Sequence, residues 1–212
     1  MHQAPYPYPA TLIFGIPGAG KGTQGDILRS IPGFFHVSSG NVFRQMGDAT
    51  AEARMVRECI RAGELVPDEL TIRVFLEHLE AKRHSGEYKP ERDLLLLDGI
   101  PRAAIQCHLL RPYIDVKLIL HLVCHDEDGM IQRIRRRAKL ENRPDDYSVE
   151  VIRKRFAIYQ QQTLPVLQEY PPSVIAEIDS NQTQAEVLLA CLSALVPVLK
   201  ANFPRKLPAA TA

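Results

Sequence analysis

A glycine-rich segment with a single lysine, residues 15–23 (GIPGAGKGT), directly follows a short apolar run at residues 11–14. Its four glycines allow the backbone to wind tightly with its N–H groups turned inward. A helix beginning at Lys21 would add N-terminal amides that favour anions, and the lysine ammonium can reach phosphate oxygens. This order of strand, loop, lysine and helix predicts a polyphosphate-binding loop. The general pattern of such loops has a hydroxyl residue after the lysine, whereas this chain has Gly22 there and Thr23 next.

A carboxylate lies at the end of another predicted strand. Asp98 follows the predicted strand at residues 93–97, which ends in four leucines. A carboxylate at the carboxyl end of a buried strand can hold Mg²⁺ directly or through water. Asp98 is therefore the candidate metal-binding residue.

Basic residues are concentrated in the second half of the chain, at residues 133–137, at Arg143 and at residues 153–155. Taken alone, such a run is usually a solvated face. The formal net charge of the whole chain is only +1, which gives no global field for nucleic acid or an anionic membrane. Any anion site must therefore come from local clustering of these side chains.

The composition is typical of a globular protein, with 45% hydrophobic and 24% charged residues in a chain of 212. No apolar run approaches the ~18 residues that a membrane span needs, and the proline-rich start lacks the apolar core of a secretory signal. We therefore expect neither membrane nor nucleic-acid partners, and a cytoplasmic location. The cysteines, expected to be reduced, do not have metal-ligand spacing; they are Cys59, Cys107, Cys124 and Cys191.

Short apolar runs alternate with helical patterns along the chain. Strands are predicted at residues 11–14, 34–37, 93–97, 116–123 and 173–178. Helices are predicted at 21–30, 39–83 (broken near Gly47 and at 63–67), 101–110, 126–139, 149–170 (bent at Pro165) and 183–200. Nearly continuous apolar strands between helices indicate a parallel sheet covered on both faces. The predicted fold is α/β, a doubly wound five-stranded parallel sheet with ligands beyond the carboxyl ends of the strands.

The loop variant G-x-P-G-x-G-K-G-T-Q at residues 15–24 strongly resembles the nucleoside monophosphate kinases, and the adenylate kinases most of all. The resemblance extends over about residues 11–190. It implies a monomer with one kinase domain over residues 1–212. The parts of that domain would be a P-loop core (10–37, 67–136 and 147–200), a helical acceptor-binding lobe (38–66), a short lid (137–146) and flexible tails (1–9 and 203–212). It also implies ATP and AMP as substrates, with Mg²⁺ bound with ATP and held at Asp98. The implied ATP-binding residues are Gly18, Ala19, Gly20, Lys21, Gly22, Thr23, Arg137 and Gln182.

The acceptor side resembles the same family through three short segments, residues 36–44, 62–69 and 98–102. Gln106 adds a clue to the base, because adenylate kinases carry Gln at this place and uridylate–cytidylate kinases tend to have Asn. A side-chain amide both donates and accepts, as an adenine edge requires. The implied AMP-binding residues are Ser39, Arg44, Glu64, Leu65, Val66, Gly99, Arg102, Gln106, Arg143 and Arg155. Alone, Ser39 and Asp68 would suit helix N-caps and Gly63 a helix C-cap.

The basic clusters resemble the lid arginines of the family. Only five residues separate Arg137 from Arg143, which is the short-lid arrangement, and no cysteine lies there, so no structural zinc is expected. Arg155 is assigned by its register to the Y-x-x-x-T-x-P segment that begins at Tyr159, with Lys154 as the fallback. The implied catalytic residues are Lys21, Arg102, Arg137, Arg143 and Arg155.

Two departures from the family pattern leave other functions open. Asn41 stands where the family usually has Asp, and Ile100 where it usually has an aromatic residue. Besides an adenylate kinase that makes two ADP from MgATP and AMP, the alternatives are a UMP/CMP kinase and a nucleotide-binding module without transferase activity.

Overall fold

One parallel sheet organises the chain, in a computed structural model that describes residues 7–47, 49–143 and 146–204. Its strand order is β2-β3-β1-β4-β5. The strands are β1 (Tyr8–Gly15), β2 (Phe34–Ser38), β3 (Leu94–Asp98), β4 (Ile114–Val123) and β5 (Ile175–Asp179). The helices are α1 (Lys21–Leu28), α2 (Ser39–Gln45), α3 (Ala51–Ala62), α4 (Asp68–His84), α5 (Ala104–Leu110), α6 (Glu127–Leu140), α7 (Val149–Ile158) and α8 (Gln184–Asn202). The predicted doubly wound α/β fold is confirmed.

The sheet has a hydrophobic core on each face. Along β3, Leu95 and Leu97 join one cluster, while Leu94 and Leu96 join the other. Because successive side chains of a strand point to opposite faces, a continuous leucine run is what burial on both faces requires.

The strand register brings the candidate site residues to one edge of the sheet. Asp98 is the partner of Ile13 on one side and of Ser38 on the other. Parallel strands share a carboxyl edge, so the loops that follow β1, β2 and β3 open onto the same space.

Several predicted element ends are shifted by one residue or more. Ser39 and Asp68 are each the first residue of a helix, preceded by the N-caps Ser38 and Pro67, so both N-cap predictions were wrong. The Ser39 hydroxyl instead donates to the Gly99 carbonyl, 2.7 Å away. The C-cap prediction for Gly63 is confirmed, with a left-handed φ of 69°.

The predicted flexible tail at residues 1–9 is too long. β1 already begins at Tyr8, whose side chain is buried and donates a hydrogen bond to Glu80. Residues 1–6 and 205–212 lie outside the described residues.

The helix predicted over residues 149–170 does bend, but before Pro165. After α7 the chain widens into a π-helical turn, Tyr159–Thr163, and then tightens into a 3-10 helix, Leu164–Glu169. Proline lacks an N–H and its ring collides with the carbonyl one turn back, so the wider turn before it accommodates the ring. The Thr163 hydroxyl donates to the Arg102 carbonyl (3.1 Å), which ties this turn to the site described below.

Helix α8 contradicts the expectation that no apolar segment is long enough to span a membrane. By length and composition it could cross a membrane, and no other helix among the described residues could. Its buried residues Val187, Cys191 and Leu195 recur every fourth position and pack in the core, as in an ordinary covering helix of a sheet. The expectation of no membrane partner stays a prediction.

Candidate active site

A cavity of about 630 Å³ opens at the carboxyl edge of the sheet. Its walls come from the glycine-rich loop, α2, the α3–α4 turn, the end of β3, α6 and α7. All predicted site residues line it except Ala19, Ser39 and Gln182. Among the described residues, the lining contains eight cationic side chains, Lys21, Arg44, Arg102, Arg133, Arg136, Arg137, Arg143 and Arg155, against four carboxylates, Asp26, Glu64, Asp98 and Glu141.

The glycine-rich loop has the conformation that its composition predicts. Gly18 and Gly20 have φ of 87° and 95°, a region that disfavours residues with a Cβ. A Cβ added to Gly15 would lie 2.7 Å from the Leu122 carbonyl oxygen, so this position admits only glycine. Ala19 is the exception in the loop, since its side chain is buried in the core and its N–H donates to the Ile16 carbonyl (3.1 Å).

Lys21 begins α1 and its ammonium folds over this loop. Nζ donates to the carbonyls of Gly15 (2.5 Å) and Ile16 (3.1 Å). Burial lowers the pKa of Lys21 to about 8; Asp98 opposes this shift, while Arg102 and Arg137 add to it. A buried ammonium among other cations is poised to be stabilised by an incoming anion.

Asp98 lies beside the loop, with only 7% of its surface exposed. A Cβ on Gly22 would be 3.8 Å from its Oδ2, and Thr23 lines the same cavity. Mg²⁺ is commonly bound by one or two carboxylates together with water and substrate phosphates, and this donor set fits that arrangement. Among the residues that the structure describes, no group of three or more His, Cys, Asp or Glu could hold a metal ion without such phosphates.

The acceptor side of the cavity is built around Gly99. Arg102 donates from Nε to the Gly99 carbonyl (2.8 Å), the same oxygen that accepts from Ser39. Burial lowers the pKa of Arg102; Asp98 opposes this, while Arg155 and Arg44 lower it further. Ser39 therefore positions the Gly99 backbone from behind, and Arg44 and Arg102 present their charges to the cavity.

Gln106 lines the same side although only 1% of its surface is exposed. Its Oε1 accepts from the Arg102 N–H at 2.8 Å, and its Nε2 donates to Asp68 Oδ1 at 2.7 Å. The amide is thus held from two sides at the wall where a base would lie.

The turn between α3 and α4 closes the cavity beside Gln106. Leu65 and Val66 line it, while Glu64 also pairs with Lys154 (2.8 Å). Lys154 on α7 is therefore paired with Glu64 and does not line the cavity, whereas Arg155 does. The fallback assignment of Lys154 is therefore not supported by the geometry.

One buried carboxylate, Asp146, binds two of the arginines. No role was predicted for it from the sequence. Asp146, with a fully buried side chain, accepts from Arg137 Nη2 at Oδ2 (2.9 Å) and from Arg155 Nη1 at Oδ1. Arg155 also donates to the Ile60 carbonyl (3.0 Å). The adjacent arginines were the only signal in the sequence for this role.

Arg143 connects two walls of the cavity. It pairs with Glu141 (2.5 Å) and donates to Asn41 Oδ1 (3.2 Å) on α2. The predicted lid boundary at residue 137 falls inside α6, which continues to Leu140, and residues 144–145 of that lid lie outside the described residues.

Gln182 stands apart from the other predicted site residues. It is exposed in the loop after β5 and does not line the cavity. Its predicted contact with ATP stays a prediction.

A glycine-rich phosphate loop at the carboxyl edge of a parallel sheet, facing a ring of arginines, defines a P-loop α/β kinase. The chain matches a family model described as adenylate kinase over residues 13–174. It is 36% identical over 186 residues to an adenylate kinase of a Cyanothece species, with 83% of this chain and 89% of the relative covered. It is 32% identical over 210 residues to a UMP-CMP kinase of Lentinula edodes, with 95% and 92% covered. It is 33% identical over 161 residues to a uridylate kinase of Saccharomyces cerevisiae, with 74% and 76% covered. The chain belongs to the adenylate kinase family and is of nucleoside monophosphate kinase type.

Proposed function

We propose that this protein reversibly transfers the γ-phosphoryl group of MgATP to AMP, giving two ADP. The observation that carries the acceptor assignment is Gln106, a buried amide on the cavity wall whose two ends can donate and accept. An adenine edge presents one acceptor and one donor side by side, which such an amide can satisfy. The adenylate kinases among the relatives agree with this choice.

The two nucleotides would enter from opposite ends of the cavity. The ATP phosphates would lie on the glycine-rich loop with Lys21, and the AMP phosphate would lie between Arg44 and Arg102. Lys21 and Arg102 line the same cavity, and the positive charge of Arg102 helps to lower the pKa of Lys21. The two charged ends would therefore meet in the arginine-lined part of the cavity.

The transfer needs no general base from the protein. An oxygen of the AMP phosphate is already largely ionised at neutral pH, since the second pKa of a phosphate monoester is about 6. That oxygen forms a bond to the γ-phosphorus while the bond from phosphorus to the β–γ bridging oxygen breaks, and ADP leaves with the electron pair. The chain contributes position and positive charge, and Arg137, Arg143 and Arg155 neutralise the charge on the transferring group. Bound Mg²⁺ would supply further charge neutralisation from the side of Asp98.

A UMP or CMP acceptor is the second candidate, favoured by the UMP-CMP kinase that resembles nearly the whole chain. A glutamine amide has the donors and acceptors to contact a pyrimidine as well. Initial rates of ADP formation from MgATP with AMP, UMP, CMP and GMP separate these functions. The proposal requires the highest kcat/KM with AMP. A higher value with a pyrimidine monophosphate would assign the second function, and no transfer to any acceptor would contradict both.

A further inference from the structure

Asp68 makes one of the two polar contacts that hold Gln106. Asp68 is the first residue of α4 and Gln106 lies on α5, so the contact joins two helices that approach each other beside the cavity. The distance from Nε2 of Gln106 to Oδ1 of Asp68 is 2.7 Å, and Asp68 does not itself line the cavity. Asp68 can therefore act on a bound base only through Gln106.

The chemistry of the two partners fixes which way the Gln106 amide faces. The Arg102 backbone N–H can only donate, so the atom that faces it must be Oε1. A carboxylate only accepts, so the atom that faces Asp68 must be Nε2. Turning the amide over would set N–H against N–H on one side and oxygen against carboxylate on the other.

An amide with a fixed direction offers a base only one order of groups. One N–H and one oxygen lone pair of Gln106 are left for the cavity. Adenine and cytosine present an exocyclic amino donor next to a ring-nitrogen acceptor. Hypoxanthine, guanine and uracil present an exocyclic oxygen acceptor next to a ring N–H donor, which is the reverse order. A glutamine that is free to turn over would accept both orders.

We propose that Asp68 is a positioning residue that fixes the direction of the Gln106 amide and so makes the acceptor site select amino bases over oxo bases. The inference rests on the proposed function to the extent that a monophosphate base lies against Gln106. It goes beyond that function because it holds for either a purine or a pyrimidine acceptor. It ranks AMP above IMP, and CMP above UMP.

The pair AMP and IMP gives the sharpest test, because the two bases have nearly the same shape and differ in the amino or oxo group. Asp68→Asn keeps the size of the side chain but can donate to a turned Gln106 as well as accept from it, so that only the Arg102 N–H still opposes the turn. Loss of one charged hydrogen bond changes a preference by about tenfold or more. We expect the AMP-to-IMP ratio of kcat/KM to fall about tenfold in this variant, through a higher KM for AMP and a lower KM for IMP.

Glu69→Gln is the matched control. Glu69 is the neighbouring acid in the first turn of α4, it is exposed, and its substitution removes the same charge from the helix start. Its AMP-to-IMP ratio should equal that of the unaltered protein. If Asp68→Asn does not fold, as judged by its thermal unfolding, Asp68→Ser provides a second side chain that can donate or accept.

The outcomes separate this inference from the proposed function. A protein that phosphorylates AMP but keeps its AMP-to-IMP ratio in the Asp68 variants overturns the inference and leaves the function intact. If no monophosphate is phosphorylated, the function fails, and the dissociation constants of AMP and IMP measured by calorimetry still decide the inference by the same ratio. A fall in that ratio in the Asp68 variants alone supports it.

Discussion

Replacing Asp146 with asparagine removes the carboxylate that pairs with both Arg137 and Arg155. The side chain of Asp146 is 0% exposed, while those of Arg155 and Arg137 are 18% and 39% exposed. The contribution of the Arg137 pair is screened by solvent and is at most about 1 kcal/mol. The Arg155 pair is more buried, and a hydrogen bond between charged groups contributes about 1.5–3 kcal/mol. Because asparagine preserves the volume, the free energy of unfolding should fall by about 2–3 kcal/mol without a cavity term.

Urea unfolding of the nucleotide-free protein measures this change directly. In a chain of this size the thermal midpoint should also fall by about 5–10 °C. Glu141→Gln is the control, because Glu141 pairs with Arg143 but is 46% exposed, and it should cost less than about 1 kcal/mol. Equal urea midpoints for Asp146→Asn and the unaltered protein, with equal slopes, would refute the view that this carboxylate holds the two arginines.

Two further predictions concern Lys21 and Gly25. Because burial lowers the pKa of Lys21 to about 8, and bound phosphates would raise it again by favouring the charged form, Lys21 should take up about half a proton on ATP binding near pH 8 and none at about pH 6. Calorimetry in two buffers of different ionisation enthalpy measures this uptake; Lys21→Met should abolish it, and an unchanged uptake in that variant would rule out Lys21 as its source. Gly25→Ala should lower the free energy of unfolding by about 1–3 kcal/mol, because its Cβ would lie 2.4 Å from Nε2 of the buried His36. Gly47→Ala, whose Cβ meets nothing within 4 Å, is its control in urea unfolding, and equal midpoints for the two variants would contradict the predicted clash.

The parts of the site that depend on local spacing could be predicted from the sequence. The glycine-rich loop is built by neighbouring residues, and its position after β1 follows from one apolar run. The leucines of β3 specify a strand buried on both faces, which places Asp98 at the carboxyl edge. Such features need no knowledge of distant contacts.

The contacts that join distant segments could not be predicted in the same way. Asp68 and Gln106 are 38 residues apart, and only the packing of α4 against α5 brings them together. The hydrogen bond that the Ser39 hydroxyl donates to the Gly99 carbonyl joins residues 60 positions apart, and the assignment of Ser39 to the acceptor nucleotide stays a prediction. The bend after α7 occurs before Pro165 because the turn must accommodate the proline ring, an effect that acts backward along the chain.

We propose above all that the cavity gathers two nucleotides so that their phosphates meet among Lys21, Arg102 and the other arginines. The most direct measurement is a crystal structure with a dinucleotide in which two adenosines are joined by a polyphosphate chain. We expect phosphates in contact with Lys21 and Arg102, with one adenine against Gln106. Phosphates bound away from these two side chains would contradict it.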